Sequence, residues 1–221
     1  MRAIVVDRPD RVSLGLENSA DVYARAAIDG QDVFGFIGGE FSLIDAISAC
    51  VKHVPGARLT LSTWTAAKAD MDHVIHFLNS GAVSRVRWIV DRSFQNRQPD
   101  LCRYLRDRFG DDAIRVQPVH CKFALIENDD VQLLMQTSAN LNRNRRLENL
   151  NLTTCPVLFA AYKDLVQQIF DVQEPEEGFT DPASPRRAMK QLFLEQQPAP
   201  FELKMQRKVA RLQKKIERAR R

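Results

Sequence analysis

No stretch of this 221-residue chain approaches the roughly eighteen consecutive apolar residues of a membrane-spanning helix. The apolar part of the opening Met-Arg-Ala-Ile-Val-Val-Asp is too short for a secretory signal, so a cytoplasmic location is expected. Cysteine is scarce. Cys50, Cys102, Cys121 and Cys155 are scattered without C-x-x-C spacing, which excludes the usual zinc sites and a disulfide framework and agrees with reduced thiols. The Gly38-Gly39 pair lacks the further glycine spacing of a phosphate cradle and is expected to be a tight turn. Asp72-His73-x-x-His76 puts potential ligands on one helical face, but no third ligand is spaced to join them. Neither a metal nor another cofactor is expected.

What is present is an alternation of strand-like and helix-like segments. The hydrophobic fraction of 44% and charged fraction of 27% are globular values, so a sizeable core is possible. Residues 3–6 read as a strand and Ala20–Ile28 as a short helix opened by Asn18 or Ser19. Strands follow at 33–37, 58–62, 83–90 and 114–116, with helices at 41–54, 67–78 and 99–109 between them. A strand near 149–153 and a helix over 156–170, with Pro156 in its first turn, close the pattern. The expected class is α/β: a mixed, largely parallel sheet flanked by helices on both faces, with a basic C-terminal helical tail.

Residues 119–150 concentrate the chemistry. His120 and Lys122 lie two apart in a strand-like run, on one face and about 6–7 Å apart at ~3.3 Å rise per residue. After a turn at Asn128-Asp129-Asp130, a second apolar run leads to Ser138 and Asn140, again spaced by two. A hairpin brings an imidazole, an ammonium, a hydroxyl and a carboxamide around one point. That set fits a phosphodiester. Lys122 supplies positive charge, while Ser138 and Asn140 supply donors for the non-bridging oxygens. A neutral His120 nitrogen can attack phosphorus, and a second group must protonate the leaving oxygen. The other histidines, His53, His73 and His76, have no lysine two residues on.

The His120-x-Lys122 pair, with an acidic residue five positions after the lysine and a following Thr-Ser138-Ala-Asn140, resembles the phospholipase D superfamily. That family's pattern is H-x-K-x4-D followed by G-S-x-N. Glu127 stands where aspartate is usual and Thr137 where glycine often precedes the serine. The first change conserves charge, the second tightens the turn, and neither removes a catalytic group. The flanking α/β pattern extends the resemblance to residues 30–172. Members with one motif per chain pair two subunits, so the resemblance implies a homodimer with one histidine as nucleophile and the other as general acid. It also makes Glu148 similar to the downstream carboxylate that orients a catalytic histidine.

Arg143, Arg145 and Arg146 follow the Ser-x-Asn turn, where they can meet a polyanionic substrate or pair with nearby carboxylates. Residues 204–221 hold four Lys and five Arg against one Glu, a net of +8. Taking that from +4 for the whole chain leaves residues 1–203 at −4. Lys204, Arg207, Lys208, Arg211, Lys214 and Lys215 surround a narrow apolar stripe of Val209, Leu212 and Ile216. Such a helix can follow nucleic-acid phosphates, lie on an anionic membrane surface or pair with a partner helix. The expected organisation is a catalytic domain over 1–172, a linker with a short amphipathic helix over 173–203, and the basic tail over 204–221. The expected function is a metal-independent phosphodiesterase, a nuclease cleaving DNA or RNA through a phosphohistidine in a homodimeric site. A phospholipid hydrolase or transferase, and a non-catalytic nucleic-acid-binding or assembly protein, are the alternatives.

Overall fold

The computed structural model describes residues 19–142 and 146–195. The strand expected at residues 3–6 and the basic tail lie outside the described residues. Seven strands form one sheet: β1 (Val33–Ile37), β2 (Ala57–Thr63), β3 (Val83–Asp91), β4 (Ile114–Gln117), β5 (Lys122–Glu127), β6 (Gln132–Thr137) and β7 (Glu148–Thr153). Their spatial order is β1-β7-β6-β5-β2-β3-β4. The helices are α1 (Ala20–Ile28), α2 (Leu43–His53), α3 (Lys68–Asn79), α4 (Phe94–Arg97), α5 (Pro99–Phe109), α6 (Pro156–Val172), α7 (Glu177–Thr180) and α8 (Ser184–Glu195).

Local chemistry explains several boundaries. Ser19 caps α1, its hydroxyl accepting from Val22 N at 3.3 Å. Ser42 and Asp45 close a reciprocal capping box on α2. Pro99 occupies the first turn of α5, and Gly110, at φ 75°, ends it in a conformation that side chains avoid.

The class is α/β with a mixed sheet, but the expectation of a largely parallel sheet needs correction. Only β2–β3 and β3–β4 run parallel; β1–β7, β7–β6, β6–β5 and β5–β2 are antiparallel. The reason is connection length. A parallel crossover needs a dozen or more residues, usually including a helix, whereas β5 reaches β6 through a tight turn and β6 reaches β7 through one loop.

Alternating strand residues feed two cores. Ala124 and Ile126 join Ile47, Trp88 and Leu105 on the face covered by α1, α2, α3 and α5. Phe123 and Leu125 join Phe159, Val166 and Leu192 on the face covered by α6 and α8. Residues 173–195, linker-like in composition, fold against this sheet. Gln173 is buried; its amide oxygen accepts from Val116 N at 2.8 Å, and its amide nitrogen donates to Val116 O at 2.9 Å. The side chain thus pairs with edge strand β4 as a further strand would. Ala188 and Leu192 of α8 are buried as well. The Gln173 amide and a few scattered apolar side chains, among them Phe179, Ala188, Met189 and Leu192, secure the segment, and they do not stand out from its Pro and Glu content. Gln173→Ala leaves both Val116 groups unpaired and is expected to lower unfolding free energy by about 2 kcal/mol. The urea midpoint measures this, and an unchanged midpoint would show that the edge contact adds nothing.

Candidate active site

Seven strand ends meet along one edge of the sheet. They are the carboxyl ends of β1, β2, β3, β4 and β6 and the amino ends of β5 and β7, as the registers Ile37↔Glu148, Thr63↔Val90, Asp91↔Gln117, Ser62↔Phe123 and Lys122↔Thr137 require. Loops leaving this edge carry the candidate residues, the usual place for a site in an open α/β sheet.

The strand expected to hold both His120 and Lys122 begins only at Lys122. Pro118 has no N–H to give to a ladder. The Val119 N–H is taken by Asp91 Oδ2 at 3.1 Å and by Gln117 O at 2.8 Å. The backbone is therefore diverted before His120, whose side chain is exposed. Ser62 Oγ donates to Cys121 O at 2.9 Å, tying the diverted stretch to β2. Lys122, by contrast, is buried, and its Nζ donates to His120 O at 2.8 Å. The same nitrogen lies 3.2 Å from His120 Nδ1 and 3.4 Å from Nε2. Burial pushes the Lys122 pKa below the ordinary lysine value, while Glu148 and, more weakly, Asp91 push it back up.

Ser138 follows β6, one residue beyond the Lys122↔Thr137 pair. Its hydroxyl donates to Glu148 Oε2 and accepts from Asn149 N at 3.1 Å. Asn140 is carried by a loop bound to the end of β2: Leu141 N donates to Thr63 Oγ1 at 3.4 Å, and Ala67 N to Leu141 O at 2.7 Å. Asn140 Oδ1 is buried without a hydrogen-bond partner among the described residues. With the amide turned over, the same position presents an N–H donor, which a phosphate oxygen needs. Glu148 opens β7, with β6 between it and β5. Within one chain Glu148 accepts from the Ser138 hydroxyl, and the His120 ring lies beside Lys122 and Trp64. Arg146 is exposed; Arg143 and Arg145 lie outside the described residues, as do Lys204, Arg207, Lys208, Arg211, Lys214 and Lys215.

Three further residues stand at this edge. Asp91 ends β3, and Trp64, half-buried, sits with its ring centroid 6.0 Å from that of His120. Arg97, from the single turn α4, covers Trp64. The Asp91-x-Ser93 spacing is a turn signal, yet nothing in the sequence joins it to His120. Other tempting groups are already occupied. Gly38 N donates to Glu40 Oε2 at 2.6 Å, so a carboxylate fills the glycine turn. Asp72 is engaged by Lys68 Nζ at 2.8 Å and by the Tyr104 hydroxyl.

No protein-family model and no curated protein matches the chain. Among solved structures it is similar to NucT from Helicobacter pylori, at 16% identity and a TM-score of 0.47, over 64% of this chain and 97% of that one. It is also similar to Nuc, a phospholipase D family member from Salmonella typhimurium, at 13% identity and a TM-score of 0.46, over 64% and 94%. A polyphosphate kinase from Porphyromonas gingivalis is similar at 17% identity and a TM-score of 0.48, over 66% of this chain and 27% of the kinase.

Because burial outweighs the two carboxylates at Lys122, its Nζ is expected to titrate below ordinary lysines in NMR of isotope-labelled protein. Glu148→Gln removes the strongest of the upward pushes, so the midpoint should fall further. A rise would reverse the sign of the electrostatic argument.

Proposed function

We propose that this protein is a phosphodiesterase of the phospholipase D type, that its substrate is DNA or RNA, and that two copies share each active site. The observation that carries this reading is the convergence of an exposed imidazole, a buried ammonium and a serine–asparagine pair on one sheet edge. A monoanionic diester gains little from a general surface. It gains much from a fixed positive charge and donors aimed at oxygens that become more negative as phosphorus turns pentacoordinate.

The chemistry then runs in two displacements. A neutral nitrogen of His120 attacks phosphorus; the N–P bond forms as the P–O bond to the leaving group breaks, and the second copy's imidazolium gives that oxygen its proton. In the second displacement water attacks phosphorus, the N–P bond breaks, and the second imidazole takes the water proton. Lys122, Ser138 and Asn140 hold the non-bridging oxygens throughout. Glu148, bonded to Ser138 in its own chain, is left to orient the histidine that the second copy brings. One chain has a single His-x-Lys pair, so a monomer lacks the acid. The +8 tail, together with Arg143, Arg145 and Arg146, favours a polyanion over a single lipid headgroup.

Cleavage of plasmid and single-stranded substrates in excess EDTA, alongside sedimentation of the full chain, tests the reading. Wild type is expected to sediment as a dimer and to cleave. His120→Ala should lose at least about a thousandfold in rate, as removal of a nucleophile does. Lipid turnover with intact nucleic acid would assign the chemistry to a phospholipid. Binding without cleavage by wild type and variant alike would make the protein a binder.

A further inference from the structure

His120 stands outside the ladder on an exposed loop, so no strand hydrogen bonds fix it, yet a nucleophile must be held close to one geometry to be effective. Among the described residues, two groups lie beside its ring. One is Lys122 Nζ, which the substrate will recruit. The other is the Trp64 ring, at 6.0 Å between centroids and tilted by 53°. Trp64 belongs to neither hydrophobic core, unlike the fully buried Trp88, so packing of the interior does not explain its position.

What holds Trp64 is a chain of polar contacts from the other side of the loop. The Arg97 guanidinium carbon lies 3.6 Å from the Trp64 ring centroid, a close cation–π stack. Arg97 Nη2 donates to Trp64 O at 2.7 Å, and Nε to Ser93 Oγ at 3.0 Å. The Ser93 hydroxyl donates to Asp91 Oδ1, which also accepts from Ser93 N at 2.9 Å. The other oxygen of Asp91 accepts from Val119 N at 3.1 Å, the residue before His120. One buried carboxylate thus anchors both the backbone that delivers the imidazole and, through Ser93 and Arg97, the ring beside it. A planar guanidinium is well fitted to this, because it stacks and bonds in two directions at once.

We propose that Trp64 is a positioning residue for His120, held by an Asp91–Ser93–Arg97 brace, and that this brace governs the rate of the phosphoryl-transfer step. The proposal rests on the phosphodiesterase reading and adds residues to which that reading gives no part. Trp64 supplies a wall that keeps the imidazole turned toward phosphorus, and Arg97 keeps the wall in place.

The test uses full-length Trp64→Ala, Trp64→Phe and Arg97→Gln. Turnover is measured on a short oligonucleotide and on a small activated diester, and the ring signals of His120 are recorded by NMR. Trp64→Ala is expected to lower kcat about ten- to hundredfold on both substrates. Its KM should stay within about twofold, and the NMR shifts of its His120 ring should move. Trp64→Phe should recover most of the rate and the wild-type ring signals, with Arg97→Gln in between. Wild-type kcat with unchanged ring signals in Trp64→Ala overturns the proposal. So does a change confined to KM for the oligonucleotide, which would make Trp64 a substrate contact. If Trp64→Ala does not fold, Arg97→Gln, altered at an exposed side chain, decides in the same way. If wild type turns over neither diester, the phosphodiesterase reading has failed, and the His120 ring signals still decide whether Trp64 holds the imidazole.

Discussion

The register between β5 and β6 is the constraint from which the candidate site follows. Asn128 sets it: its side-chain oxygen accepts from Asp130 N at 3.0 Å and Val131 N at 2.8 Å, and its backbone N–H reaches Val131 O at 3.0 Å. With the turn closed in that way, Lys122 stands opposite Thr137, and Ser138 emerges beside it. A slip of one residue would send Ala124 and Ile126 to the wrong core and turn the ammonium to the opposite face. Core packing and the placing of the candidate site therefore specify the same register. The hydrophobic term enforces it.

Around that hairpin the sheet divides its labour. The parallel half, β2–β3–β4, ends in loops that carry Trp64, Asp91, Ser93 and Arg97; the antiparallel half supplies Lys122, Ser138, Asn140 and Glu148. The two halves join at β2–β5, and the Thr63–Leu141 and Ser62–Cys121 contacts close the seam at the site edge. Lys122 is the costly element. A buried ammonium persists there because a carbonyl accepts from it and the carboxylates of Glu148 and Asp91 oppose its desolvation. The imidazole needs no such compensation, since it stays at the surface.

The elements were legible where a residue's local role and its tertiary role agree. The helix of residues 99–109 starts at a proline and stops at a glycine, and the strand of residues 33–37 has the same bounds in sequence pattern and in structure. Legibility failed where a contact joins residues far apart. Asp91, one acceptor of the Val119 N–H, lies 28 residues away, so the strand start at Lys122 rather than His120 is signalled locally only by Pro118. Gln173 bonds Val116 across 57 residues, and a Pro-rich segment that resembles a tether becomes an edge cover.

Sequence alone determined the chemical inventory: one histidine two residues before a lysine, a serine and an asparagine two apart after the next apolar run, and the periodicities that make strands and helices of their flanks. Those are properties of spacing, and spacing is written in the chain. Tertiary structure alone decided the rest. Antiparallel pairing prevails because the links after β5 and β6 are too short for crossovers. Glu148 meets Ser138 because two antiparallel ends abut, and a tryptophan on one loop comes to rest against a histidine on another. Such pairings depend on which strands become neighbours, and that is settled by the joint burial of both sheet faces, not by any single segment.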